Sequence, residues 1–110
     1  MDYDVLITTG NRASFLLLSI PSLLTQSRPP KRIIISDSSD NPEETRLAAQ
    51  QATAGSPVEL FMIRMPRNKC VQANEGLKHV RSPVVFIPDD DSIFFPGAAE
   101  AIMRIYELDT

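Results

Sequence analysis

The stretch KRIIISDSSDNPEETRLAAQQATAG, residues 31–55, holds a candidate strand, a polar turn and a candidate helix in succession. Residues 31–36 are short, apolar and β-branched, which is typical of a strand buried on both faces. After the turn, Asn41 can cap a helix, Pro42 suits its first position, and Gly55 is a stop signal. The stretch therefore predicts one strand followed by one helix.

The rest of the chain repeats this alternation. Apolar β-branched runs indicate three further strands, and apolar residues at helical spacing indicate three further helices. Pro21 predicts a kink or a break in the first of these helices, because proline lacks the amide that a continuous helix uses, and Ser14 is its predicted cap. Phe94 and Phe95 are expected in the core. The predicted strands are residues 3–9, 58–64 and 83–88, and the predicted helices are residues 14–26, 71–80 and 96–108.

This order of elements favours a Rossmann-like α/β fold, with a mostly parallel sheet, right-handed crossovers and helices on both faces. In such sheets, ligands bind beyond the carboxyl ends of the strands. Three polar clusters follow predicted strand ends, namely Thr8 with Thr9, Asp37, and the aspartates at residues 89–91. We therefore expect these clusters to share one edge of the sheet.

Composition limits the classes of protein. A chain of 110 residues with 43% hydrophobic content is predicted to form one domain, residues 1–110, with a modest core. Its formal net charge of −3 gives no general attraction to nucleic acid, although basic residues gather at residues 64–69. Cys70 is the only cysteine, so no intrachain disulfide can form and a cytoplasmic location is expected. The apolar run at residues 15–24 is too short to cross a bilayer, so no integral membrane segment is expected.

The three aspartates at residues 89–91 stand between two apolar runs. Neighbouring carboxylates are unfavourable there unless a cation or hydrogen-bond donors compensate them. Mg²⁺ and Mn²⁺ suit such oxygen ligands, and they share their remaining positions with phosphates and water. Asp37 can accept hydrogen bonds from a ribose or a base, and phosphates can be met by Arg12, Arg67 and Lys69.

Each of these features also has a simpler interpretation. The aspartates can form an exposed acidic turn, as charge runs on proteins commonly do. Asp37 can be a capping residue. The basic residues 64–69 can be a solvated face. The residues alone leave these alternatives open.

Four blocks of the sequence, taken together, resemble a known family: ITTGNR, SLLTQSRPPKRIIISDSSD, MPRNKCVQANEGL and VVFIPDDDSIFFPGAAEAI. They look like the successive blocks of family 2 glycosyltransferases, which have the GT-A fold. The resemblance extends over nearly the whole chain. It rests on the order and spacing of the four blocks, including a DXD-type motif followed by a proline.

The resemblance implies a site for a nucleotide-diphosphate sugar with Mg²⁺ or Mn²⁺. Thr8 matches a threonine near the base, Asp37 an aspartate that contacts uracil or ribose, and residues 89–91 the DXD motif, whose last aspartate approaches the metal. The predicted nucleotide-binding residues are Thr8, Asn11, Arg12, Asp37, Asn68, Asp89 and Asp90, and the predicted metal ligands are Asp91 and Asp89.

The chain also departs from the family pattern. Ala73 stands where an arginine usually contacts the donor, Gly10 where an aromatic residue is frequent, and Ser36 where many members have an aspartate. Family members continue beyond the DXD block into the acceptor site and the catalytic base. The chain is therefore expected to be the nucleotide-binding portion of a truncated transferase, with no catalytic residue assigned.

The function predicted from these observations is glycosyl transfer to an unknown acceptor, if the rest of the enzyme is present. The alternative is a noncatalytic α/β interaction module. A phosphoryl-transfer domain would need carboxylates at the ends of the first and third strands, where Thr8 and Arg64 lie. An uncovered sheet edge would also favour a homo-oligomer.

Overall fold

In a computed structural model of the protein, which describes residues 1–108, strands and helices alternate as the sequence predicts. None of the described helices has the length and apolar character needed to cross a lipid bilayer. The predicted α/β, Rossmann-like class is confirmed. The elements are β1 (Tyr3–Thr9), α1 (Ala13–Leu24), β2 (Arg32–Asp37), α2 (Pro42–Thr53), β3 (Glu59–Arg64), α3 (Lys69–Leu77), β4 (Val84–Phe86) and α4 (Ala98–Leu108).

The strands form a parallel sheet in the order β3-β2-β1-β4. The register places Thr8 beside Ser36 and Thr9 beside Asp37, so β1 and β2 end level with each other. Strand β4 is short and pairs only with the first residues of β1, where Tyr3 lies beside Val84. The chain that follows β4 is therefore free to turn across the carboxyl ends of the sheet.

The two faces of the sheet are covered differently. Alternate residues of β1 and β2, such as Val5, Ile7 and Ile33, are fully buried in a core with side chains from α1, α2 and α4. Helix α3 packs on the other face, against β1 and β2. Helices thus lie on both faces, as predicted.

Of the two outcomes predicted at Pro21, a kink or a break, the break does not occur, because α1 runs without interruption through Pro21. Its inward side chains include Leu16, Ile20 and Leu23, which are almost completely buried. Burial of each such side chain contributes about 1.5–3 kcal/mol, so together they offset the roughly 3 kcal/mol that an internal proline costs. At the end of the helix, Thr25 donates from both its amide and its hydroxyl to the carbonyl of Pro21.

Some local predictions also need correction. Ser14 lies within α1, whose N-cap position is taken by Arg12 instead. Helix α3 begins two residues before the prediction, because the Asn68 side chain accepts a hydrogen bond of 3.1 Å from the amide of Val71. Phe95 is 81% exposed rather than part of the core.

The glycine of α3 permits close contact between this helix and the sheet. A Cβ atom at Gly76 would overlap the Cδ1 atom of Leu6, which is fully buried in the sheet. We expect Gly76→Ala to lower the free energy of unfolding by about 1–2 kcal/mol, because overpacking exceeds the gain in helix propensity. Urea unfolding measures this loss. Gly97→Ala is the matched control, since a Cβ there meets no atom within 4 Å, and an equal effect in both variants would contradict the explanation.

An ion pair joins α4 to the segment before β2. Arg28 donates to both carboxylate oxygens of Glu107, at 2.9 and 2.7 Å. This bond, with a second one from the amino terminus, lowers the pKa of Glu107 to about 2. The unfolded chain has the ordinary pKa of about 4.3, so the pair stabilises the fold above that pH, and this contribution is lost as the pH falls toward 2.

We therefore expect the difference in unfolding free energy between the wild type and Glu107→Gln to shrink as the pH falls from 6 to 2. Urea unfolding across this range measures it. Arg28→Gln should remove most of the same pH dependence, because it removes the main donor. A difference that stays constant with pH would show that the pair does not act through the charge of Glu107.

Candidate functional site

A cleft of about 440 Å³ opens at the carboxyl ends of the strands. The end of β1 supplies Thr8 and Thr9, the segment after it supplies Arg12, and the start of α3 supplies Lys69. The aspartate triplet, Asp89 to Asp91, closes the remaining side. The prediction that the polar clusters of β1 and β4 meet at one sheet edge is therefore confirmed.

The three aspartates have different environments. Asp90 is only 6% exposed and accepts a hydrogen bond of 2.8 Å from the hydroxyl of Thr9. The side chains of Asp89 and Asp91 are 70% and 50% exposed. Asp90 thus anchors the turn to β1, and its two neighbours face solvent in the cleft.

Each carboxylate of the triplet also lies near a basic side chain. The Nη2 atom of Arg12 is 3.3 Å from Asp91, and its Nε atom is 3.5 Å from Asp90. The Nζ atom of Lys69 is 3.2 Å from Asp89. The cleft therefore holds acidic and basic groups side by side, which suits a ligand that brings both a cation and an anion.

The basic stretch at residues 64–69 is divided between two places. Lys69 and Arg67 line the cleft, and the guanidinium of Arg67 lies 3.7 Å from the exposed carboxylate of Asp40. Arg64 ends β3 and lies 3.9 Å from Asp37. With Thr9 at the end of β1 and Arg64 at the end of β3, these two strand ends lack the carboxylates that a phosphoryl-transfer domain would need.

Asp37 belongs to the same sheet edge but not to the walls of the cleft. One of its oxygens, Oδ1, accepts hydrogen bonds from the amide of Ser39 at 3.1 Å and from its hydroxyl at 2.6 Å. The Ser39 hydroxyl also lies 2.9 Å from the hydroxyl of Thr45 in α2. Asp37 therefore fixes the turn after β2 rather than capping α2, whose N-cap position is Asn41. Its second oxygen, Oδ2, faces Arg64.

Asn11 and Asn68 have structural contacts of their own. Asn11 adopts a φ of 56°, a conformation that asparagine tolerates better than most residues. Its side chain donates to the carboxylate of Asp40 and accepts from the amide of Asp40, so it joins the loops after β1 and β2. Asn68 caps α3. Both residues position the rim of the site through contacts that the sequence did not reveal.

Gln72 is a site residue that the sequence analysis missed. It is 4% exposed, and its amide nitrogen donates to the backbone carbonyls of Thr9, at 3.0 Å, and Ser36, at 2.9 Å. Its amide oxygen accepts from the backbone of Asn68. One side chain thus joins the ends of β1 and β2 to the start of α3. The signal in the sequence was a polar residue four positions before Gly76, on the face of α3 that meets the sheet.

The donor set determines which cation can fit. Within residues 1–108, no group of three or more His, Cys, Asp or Glu side chains is arranged to hold a metal ion. Mg²⁺ and Mn²⁺ need only one or two protein carboxylates when phosphates and water complete their shell. The exposed carboxylates of Asp91 and Asp89 meet this requirement. The site fits a cation held by one or two carboxylates, with water and phosphates completing its shell.

Comparison with known proteins agrees with this architecture. The sequence model of a family described as glycosyl transferase family 2 matches residues 4–109. Among solved structures, 36 chains match significantly, and one is the crystal structure of S. aureus TarS, with a TM-score of 0.78 at 16% sequence identity. That match covers 98% of this chain and 20% of the TarS chain, and at this identity it shows the fold. No curated protein matches significantly.

Proposed function

Because the chain belongs to glycosyl transferase family 2, we propose that it binds a nucleotide-diphosphate sugar and supplies the donor site for glycosyl transfer. The single observation that carries this proposal is the cleft at the carboxyl ends of the sheet, where Thr9 holds Asp90 and leaves Asp91 facing solvent. The chain spans a fifth of the length of TarS, so transfer to an acceptor is proposed only for a complete enzyme.

The diphosphate would lie against the aspartate triplet and the neighbouring basic side chains. Asp91 and Asp89 would hold Mg²⁺ or Mn²⁺, which neutralises the charge that develops on a departing diphosphate. Arg12, Arg67 and Lys69 line the same cleft and would pair with phosphate oxygens that the metal does not take. A ligand of this kind satisfies both the acids and the bases of the cleft.

The nucleoside would lie toward the ends of β1 and β2. Thr8 is half-buried and lines the cleft, so its hydroxyl can meet a ribose or a base. Asp37 would contribute through Oδ2, because its other oxygen is used by Ser39. This contact would require a movement at the rim of the cleft, since Asp37 is 3% exposed and does not line it. Asn11 and Asn68 would act on the nucleotide by holding the loops and the start of α3 in place.

Calorimetric titration with UDP, GDP and dTDP, each with and without Mn²⁺, tests this proposal. Binding of one nucleotide that needs Mn²⁺ and is abolished by EDTA supports a metal-dependent donor site. If none of the three nucleotides binds at millimolar concentration with Mn²⁺ present, the donor-site proposal is wrong. The noncatalytic interaction module then becomes the better interpretation of the acidic edge.

A further inference from the structure

The guanidinium of Arg12 contacts two carboxylates and an aromatic ring. Its Nη2 atom lies 3.3 Å from Asp91 Oδ2, and its Nε atom lies 3.5 Å from Asp90 Oδ2. Its central carbon is 4.4 Å from the centroid of the Phe15 ring, which is within the range of a cation–π interaction. One positive charge is thus shared by neighbouring carboxylates and further stabilised by Phe15.

This arrangement offsets an electrostatic cost in the free protein. Adjacent carboxylates repel each other, and Asp90 has little contact with water because it is 6% exposed. A nearby cation relieves both problems. A divalent metal ion would be attracted to the same carboxylates for the same reason, and it would compete for Asp91 with the guanidinium, because the two cations repel each other.

We propose that Arg12 is a resident counter-ion of the aspartate triplet, which a divalent cation displaces from Asp91, and that the released guanidinium then pairs with the diphosphate of the ligand. This inference rests on the proposed function, because it takes the triplet to be the cation site.

Two properties of Arg12 allow it to exchange partners. Its side chain is 43% exposed, so it can turn away from the carboxylates without opening the core. Its planar guanidinium matches phosphate oxygens as well as it matches carboxylates. A diphosphate therefore offers Arg12 a new partner at the moment the metal takes the old one. The metal and the diphosphate should bind cooperatively, each favouring the other.

The direct test measures binding of Mn²⁺ alone, by the paramagnetic resonance signal of the free ion. We expect Arg12→Gln to bind Mn²⁺ about fivefold or more tightly than the wild type, which is the lower end of typical coupling between two sites. Phe15→Leu keeps the charge of Arg12 but removes the ring beneath it. We expect this variant to bind Mn²⁺ about two- to fivefold more tightly than the wild type. This change corresponds to the free energy of an exposed cation–π interaction.

Arg104→Gln is the control for net charge. It removes one arginine from the surface of α4, where that side chain is 73% exposed and pairs with Glu100. The counter-ion role is refuted if Arg12→Gln binds Mn²⁺ no more tightly than Arg104→Gln does. It is equally refuted if neither the wild type nor Arg12→Gln binds Mn²⁺ at all.

A second arm repeats the Mn²⁺ titration with UDP, GDP or dTDP present. In the wild type, the nucleotide that binds should tighten Mn²⁺ binding, and this gain should be smaller in Arg12→Gln because no guanidinium is released. An equal gain in both proteins would contradict the partner exchange. If no nucleotide binds either protein, the donor-site proposal fails, whereas the titration with Mn²⁺ alone still decides whether Arg12 opposes the cation.

Discussion

An Asp91→Asn variant is expected to lose most of the metal-dependent affinity for a nucleoside diphosphate. Asparagine keeps the size of the side chain but removes the charge that Mg²⁺ and Mn²⁺ require. The expected loss is roughly 1.5–3 kcal/mol, the range for a hydrogen bond to a charged group, or about a tenfold to 150-fold weaker Kd. The fold should be little affected, because Asp91 is half exposed and exposed ion pairs contribute little to stability.

Calorimetry with the best-bound nucleotide and saturating Mn²⁺ measures this effect. Asp2→Asn removes the same charge from an exposed position at the amino end of the chain, so it controls for a general change in net charge. Unfolding curves of both variants in the absence of metal check that the fold is intact. Unchanged nucleotide binding by a folded Asp91→Asn variant would show that the triplet is only a turn.

The second large effect is expected from Thr9→Val, which removes one hydroxyl and keeps the branched shape of the side chain. The hydroxyl donates to Asp90 at 2.8 Å, in a buried environment. Its loss leaves a poorly solvated carboxylate whose remaining oppositely charged neighbour among residues 1–108 is the more distant Arg12. We expect the free energy of unfolding to fall by roughly 1.5–3 kcal/mol, since the lost bond is made to a charged group.

Thr8→Val is the matched control. Thr8 is the neighbouring residue on β1, it lines the cleft, and within the described residues its hydroxyl has no hydrogen bond. Urea unfolding should therefore show a much smaller loss for Thr8→Val. If Thr8 meets the nucleotide as proposed, calorimetry should show weaker nucleotide binding by this variant despite its intact fold. Equal stability losses in the two variants would refute the anchoring role of Thr9.

The fold could be predicted because local and global signals agree. The run of three isoleucines at residues 33–35 lies in the middle of the sheet and is completely buried, as its composition indicated. Pro42 begins α2, and Gly55 follows its end with a φ of 77°, which glycine adopts without strain. At both ends of α2, the backbone conformation favours the residue type that the sequence has.

The errors in the fold arose where tertiary contacts outweighed a local preference. Pro21 breaks a helix in isolation, but burial of the α1 side chains keeps this helix intact. Phe95 is apolar and yet exposed, and its carbonyl accepts hydrogen bonds from Gln26 and from Ala98. The contribution of such tertiary contacts could not be estimated from the pattern of residues in one sequence.

The candidate site was only partly predictable. Position at strand ends correctly placed the triplet, Thr8 and Thr9 at one edge of the sheet, where all of them line the cleft. The roles of Thr9 and Gln72 depend on which atoms meet across the fold, and periodicity does not encode this. Asp37 shows the opposite case, since a residue of the right type at the right edge uses one oxygen for its own turn.

The short length of β4 affects how often the cleft is lost by local unfolding. This strand has three residues and lies at the edge of the sheet, and the bond between Thr9 and Asp90 closes a separation of 81 residues. Long-range closures form late in folding, and short edge elements open first by local unfolding. Amide hydrogens of β4 should therefore exchange with solvent before those of β1 and β2. The free protein would spend part of its time with β1, β2 and β3 still paired and the cleft dismantled. A ligand bound across the triplet would slow exchange selectively at β4.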